Sequence, residues 1–177
     1  MKRRRLLFLN AMLAALALLV MTTGGILAFQ PPLTALTKIQ LLNNNTLNSS
    51  TNGGVVAPGG TIHYRIDFSL SQAQQNVRIL DTLRGRLDLI PASVATDCPN
   101  GVTVQNLLNA PEREDWNFLL GNFAAPTSCS LWLDADVRSN AQIGSKVYNS
   151  ATVYTSTGWK GIATVGTLVV GDFANGE

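Results

Sequence analysis

Thr61-Ile62-His63-Tyr64-Arg65-Ile66-Asp67-Phe68-Ser69-Leu70 alternates polar and apolar side chains over ten positions without a fault. Successive side chains of a strand point to opposite faces, so a period of two over this length predicts a strand with one wet and one buried face. The same rhythm returns in Cys129, Leu131, Leu133, Ala135 and Val137, set against Ser130, Asp134, Asp136 and Arg138. It returns again in Val147, Ala151 and Val153, set against Tyr148, Ser150, Thr152 and Tyr154. Weaker candidate strands are Leu33–Leu42, Asn76–Leu83, Val102–Leu108, Trp116–Leu120 and Ile162–Val170. Turn-forming pairs separate them, among them Pro58-Gly59-Gly60, Arg84-Gly85, Pro99-Asn100-Gly101 and Thr157-Gly158. No helical period follows residue 30. The chain beyond it is predicted to be all-β, an antiparallel β-sandwich of seven to eight strands.

The first thirty residues are different in kind. Lys2, Arg3, Arg4 and Arg5 precede an apolar run, Leu6 to Met21, that only Asn10 interrupts. A cationic head before such a run reads as an export signal over residues 1–28, cut after Ala28. Left uncut, Leu6 to Phe29 is long enough for one membrane-anchoring helix, which needs ~20 apolar residues. Both readings carry residues 29–177 outside the cytoplasm as a single sandwich domain. Within it, the Asn/Ser/Thr/Gly-rich stretch 43–54 reads as a flexible loop, and 157–177 as a C-terminal extension with an extra strand.

Composition narrows function. With 46% hydrophobic and 14% charged residues the chain is a folded one and not a disordered one. The sequence pI of about 8.7 belongs to the leader. Without the four basic residues at positions 2–5, nine Lys and Arg face eleven Asp and Glu, a net charge of −2. No nucleic-acid footprint remains. His63 is the only histidine, which removes His-centred triads and multi-His metal sites. It falls on the outer face of its strand and reads as a surface residue. Glu112, Glu114 and Asp115 cluster beside Pro111 and read as a solvated charged loop rather than an acid pair for hydrolysis. Asp134 and Asp136 share a polar face and have no spaced ligand loop around them for calcium. Neither a catalytic group nor a metal, cofactor or small-molecule substrate is expected. The two cysteines, Cys98 and Cys129, lie in the exported part and are predicted to form one disulfide.

Four pieces in order carry a family likeness. They are Val55-Val56-Ala57-Pro58-Gly59-Gly60-Thr61-Ile62-His63-Tyr64-Arg65-Ile66; Asn76 to Leu83 with Gly85 and Leu87; Trp116 with Leu120-Gly121; and Tyr148-Asn149-Ser150-Ala151-Thr152-Val153. Over roughly residues 34–156 the chain resembles the conserved-repeat immunoglobulin-like domain of prokaryotic surface proteins, catalogued as domain of unknown function number eleven. It departs from that pattern at Arg84, where a proline is usual, and at Ser71–Gln75, where a polar turn is usual. The resemblance implies an immunoglobulin-like sandwich at the cell surface with a structural or adhesive role.

It also brings one constellation into view. Some surface domains of this type join a Lys of the first strand to an Asn of the last by an amide bond, aided by a buried acid. Lys38 lies in the first candidate strand. Alternation turns Asn149 inward with Val147, Ala151 and Val153, and Asp81 inward with Val77 and Ile79. Lys38 fits least well, because the opposite face of its strand (Ala35, Ile39, Leu41) is the more apolar. The reading is a non-catalytic envelope module whose partners are other surface proteins or itself, with the membrane added if the leader is retained. The alternative is a filament subunit assembled by β-strand donation, using the apolar flanks 29–42 or 161–171.

Overall fold

Two sheets face each other. The first holds β1 (Leu33–Leu42), β2 (Asn45–Ser50), β4 (Thr61–Leu70), β6 (Leu87–Thr96) and β9 (Thr127–Val137), in the order β2-β1-β4-β9-β6. The second holds β3 (Val55–Val56), β5 (Gln74–Arg84), β7 (Thr103–Ala110), β8 (Arg113–Phe123), β10 (Lys146–Thr155) and β11 (Gly158–Val169), in the order β3-β11-β10-β5-β8-β7. The computed structural model describes residues 31–42, 45–50 and 54–171. The leader at 1–28, signal or anchor, lies outside the described residues. Among the described residues there is no helix.

Alternation builds the core. Ile62, Tyr64, Ile66, Phe68 and Leu70 of β4 are all buried, while Thr61, His63, Arg65, Asp67 and Ser69 face outward. β9 lies antiparallel beside it with Ile66 opposite Leu131 and Tyr64 opposite Leu133. From the other sheet Val77, Ile79 and Leu83 of β5, Phe118 and Leu120 of β8, and Val147, Ala151 and Val153 of β10 close on them. Each large side chain so enclosed contributes about 1.5–3 kcal/mol over its exposed state.

The strand count exceeds the expected seven or eight: eleven strands pair among the described residues. The additions have short or broken patterns. In β6, Leu87 and Leu89 alternate inward, but pairing with β9 then slips between Ile90 and Ala95, where Pro91 has no N–H to give. β3 is two residues long and runs parallel to β11, so the second sheet is mixed. β2 occupies the stretch read as loop 43–54: Asn45–Ser50 pairs antiparallel with the end of β1. A polar edge strand leaves no hydrophobic rhythm to read. In the C-terminal extension, β11 is the extra strand and lies along β10 for its whole length.

The chain passes from one sheet to the other at Arg84-Gly85-Arg86. Gly85 has φ +80, and a Cβ there would meet the Lys146 carbonyl oxygen at 3.0 Å and Val147 Cα at 3.2 Å. Gly85→Ala is therefore expected to lower stability by about 1–2 kcal/mol or more, from the left-handed conformation plus the clash with backbone. Urea unfolding checks this as a lower midpoint at unchanged slope; an unmoved midpoint would refute it.

Candidate crosslinking site

Lys38 projects from β1 into the space between the sheets. Its side chain has no exposed surface, and neither has that of Asp81 on β5. The Lys38 Nζ donates to Asp81 Oδ1 and lies 5.1 Å from the centre of the Tyr64 ring. A β-strand buried on one face only would have left Lys38 outside. Here Ile39 and Leu41 are buried as well, so the more apolar face of β1 does not displace Lys38 from the core.

Asn149 reaches the same place from β10. It is fully buried and stands beside Leu83 across the β10–β5 ladder, one inward position from Ala151, which faces Asp81. Asn149 is near enough to Asp81 to favour its ionised form. Neither Oδ1 nor Nδ2 of Asn149 has a hydrogen-bond partner of acceptable geometry, and Asp81 Oδ2 has none. Leaving such groups bare costs about 1–3 kcal/mol each. A fully buried carboxamide with both ends unused, beside an acid that is itself paired with a buried amine, is an unusual arrangement for a protein core.

Burial shifts both groups toward their uncharged forms. Burial, the largest influence, pushes the Asp81 carboxyl above its ordinary range, against the pull of Lys38 and the amide of Asn149. Burial also pushes the Lys38 ammonium below its ordinary range, against the attraction of Asp81. An amine that has shed its proton is a nucleophile, and a carboxylic acid that keeps its proton can donate it to a carbonyl. The Tyr64 hydroxyl is buried too, and its pKa is raised chiefly by burial.

Polar groups that sequence reasoning passed over complete the shell. Gln40, two residues after Lys38 on the same face, accepts from Thr167 Oγ1 at 2.7 Å and from the Gly54 amide at 2.8 Å. The signal for Gln40 was its shared parity with Lys38. Tyr64 carried no signal beyond its place in an apolar row.

The other singled-out residues fall elsewhere. Cys98 and Cys129 are joined in a disulfide with a Cα–Cα distance of 5.1 Å. His63 lies on the outer face, partly exposed, with Nδ1 at 2.7 Å from Asp134 Oδ1. Asp136 accepts from Thr61 at 2.6 Å. The charged cluster at 112–115 is not a solvated loop. Glu114 and Asp115 open β8 and are buried, while Glu112 stays exposed. Glu114 Oε2 accepts from the Leu89 amide at 3.0 Å and from Trp116 Nε1 at 2.9 Å. Asp115 is gripped by Arg113 at 2.6 and 2.8 Å. Glu114 thus ties β8 to β6, while Asp115 is paired within its own strand.

No protein-family model and no curated protein matches the chain. Solved structures are similar in fold. The C-terminal domain of the AgI/II polypeptide BspA from Streptococcus agalactiae superposes with a TM-score of 0.50 at 15% identity, over 76% of this chain and 50% of that one. A putative membrane anchored protein from Corynebacterium diphtheriae gives a TM-score of 0.56 at 10% identity, over 77% of this chain and 36% of that one. The chain spans half or less of these two structures, and what it shares with them is the architecture of facing β-sheets.

Proposed function

We propose that this chain is an exported, non-catalytic module of the cell envelope, immunoglobulin-like in the manner of the conserved-repeat surface domains it resembles. Its two sheets would be joined covalently by an amide bond between Lys38 and Asn149. One observation carries the reading: the fully buried Lys38–Asp81 pair with the unpartnered carboxamide of Asn149 beside it. The fold likeness to two bacterial proteins, one of them a putative membrane anchored protein, supports the surface setting. Residues 1–28 would export the module and, if kept, tether it; its partners would be other envelope proteins.

The chemistry balances. The neutral amine of Lys38 attacks Cγ of Asn149, while protonated Asp81 hydrogen-bonds to Oδ1 and steadies the developing oxyanion. Asp81 then relays the proton from the amine nitrogen to Nδ2. The Nζ–Cγ bond forms, the Cγ–Nδ2 bond breaks, and ammonia leaves. No oxidant or cofactor takes part. Filament assembly by strand donation is the weaker reading, because both flanks it would use are already paired: β1 along β4 and β11 along β10.

Intact-mass measurement of the purified chain tests the bond. After allowance for the disulfide, the mass is expected about 17 Da below the sequence value, and Lys38→Ala should restore the full value for its composition. A wild-type mass without the deficit overturns the crosslink.

A further inference from the structure

The outer face of the second sheet carries a trough on the far side from the crosslink. Its floor is a row of hydroxyls across three strands: Thr82 of β5 opposite Ser150 of β10, and Ser150 opposite Thr164 of β11. Ser150 and Thr164 hydroxyls lie 2.8 Å apart and bond to each other. One wall is the next row, Arg84 beside Tyr148. The other wall is the row on the opposite side of the floor, where Ile162 stands exposed. Rows on one face repeat every two residues, so the walls stand about 13 Å apart. The space between them is about 280 Å³, close to the lower bound of ordinary small-ligand sites, ~300 Å³.

Two side chains, Tyr148 and Arg84, give the trough a chemical character. Tyr148 is 43% exposed, and its ring leans across Gly166 on β11, where any Cβ would sit 2.9 Å from a ring carbon. Glycine at that position is what allows an aromatic surface to lie along the sheet. Arg84 is exposed and has no carboxylate partner among the described residues. Across the ladder Arg84 stands opposite Arg113, and Asp115, opposite Thr82, is already paired with Arg113.

We propose that this trough binds an acidic glycan, a chain containing uronic-acid units. The hydroxyl floor can both donate to and accept from ring hydroxyls. Tyr148 offers an apolar surface with a polar tip to the C–H face of a sugar ring. Arg84 presents the planar fork that matches a carboxylate with two parallel bonds. A phosphodiester polymer fits poorly, since it would ask for a row of cations and the domain without its leader is net negative. A strand-forming peptide would instead pair along the outer edge of β11, which β3 covers only at Leu168 and Val169, and would leave the hydroxyl floor unused. The inference goes beyond the crosslink and does not rest on it.

The test is titration of the full chain in mild detergent with three uronate oligosaccharides (galacturonate, mannuronate, and a glucuronate-containing one) and a neutral glucose oligomer. Calorimetry gives affinity, and amide NMR shifts give location. At least one uronate is expected to bind, with shifts centred on Ser150 and Thr164, and the neutral oligomer at least about tenfold more weakly. Arg84→Gln should remove that preference, and Tyr148→Ala should weaken both sugars. Should Tyr148→Ala fail to fold, Arg84→Gln, on an exposed side chain, still decides the matter. Binding of no uronate, equal binding of the neutral oligomer, or unchanged affinity in Arg84→Gln overturns the proposal. Lys38→Ala, if it folds, should bind as the parent does, which separates this outcome from the fate of the crosslink.

Discussion

Asp81→Ala is expected to show the full uncrosslinked mass and to unfold about 3–5 kcal/mol more easily than Asn149→Ala, which lacks only the bond. The two variants differ in what they leave in the core. Asn149→Ala keeps the contact between Lys38 and Asp81. Asp81→Ala strands the Lys38 amine, which has no exposed surface and no other carboxylate to meet among the described residues. The energy of breaking such a contact is dominated by the partner abandoned in low dielectric, not by the attraction lost. Asp81→Asn separates proton transfer from packing. It keeps size and shape but holds no transferable proton, so it should fold better than the alanine variant and still show no mass deficit. A mass deficit surviving in either variant would show that the acid is not needed, and the mechanism would fall. Urea unfolding of the three variants beside the parent supplies the energies.

Replacing both Cys98 and Cys129 by alanine is expected to cost about 3–4 kcal/mol, the value of closing a loop of this size in the chain-entropy account. The loop spans 31 residues and contains β7 and β8, a full third of the second sheet's strands. Its position strengthens the expectation. β6 pairs with β9 through Ala95–Trp132 and Thr96–Leu131, and the Asp97 amide adds a bond to the Ser130 carbonyl at 3.3 Å. The disulfide comes next, as a covalent rung at the point where the chain leaves the first sheet for the second. Without it β7 keeps only its ladder to β8, and its side chains are mostly exposed. A midpoint shift worth under about 1 kcal/mol would mean that packing alone holds the crossing.

Much of the fold was legible because one face of each central strand is buried and the other is not. β4, β9 and β10 declare themselves by that contrast, and the same parity turns Asp81 and Asn149 inward. β1 resisted the argument. Buried on both faces near Lys38, it offers no contrast, and the sequence pattern favoured the side that Lys38 does not occupy. β6 resisted because Pro91 breaks its rhythm, and β2 because an edge of Asn, Ser and Thr resembles a loop. The buried Glu114 was hidden by its neighbours: beside Glu112 and Arg113 it looked solvated, and only the fold supplies the Leu89 amide and the Trp116 indole that satisfy it. The hydroxyl trough was beyond sequence reach, since it is assembled across strands distant in the chain.

Lys38 stands near one end of the chain and Asn149 near the other, with 110 residues between them. Once they are joined, a pull applied to the two termini runs through the start of β1, across the new bond and out along β11. The intervening stretch carries no tension. Unravelled, it would pay out ~360–400 Å of slack, a length that a joined domain would withhold under load.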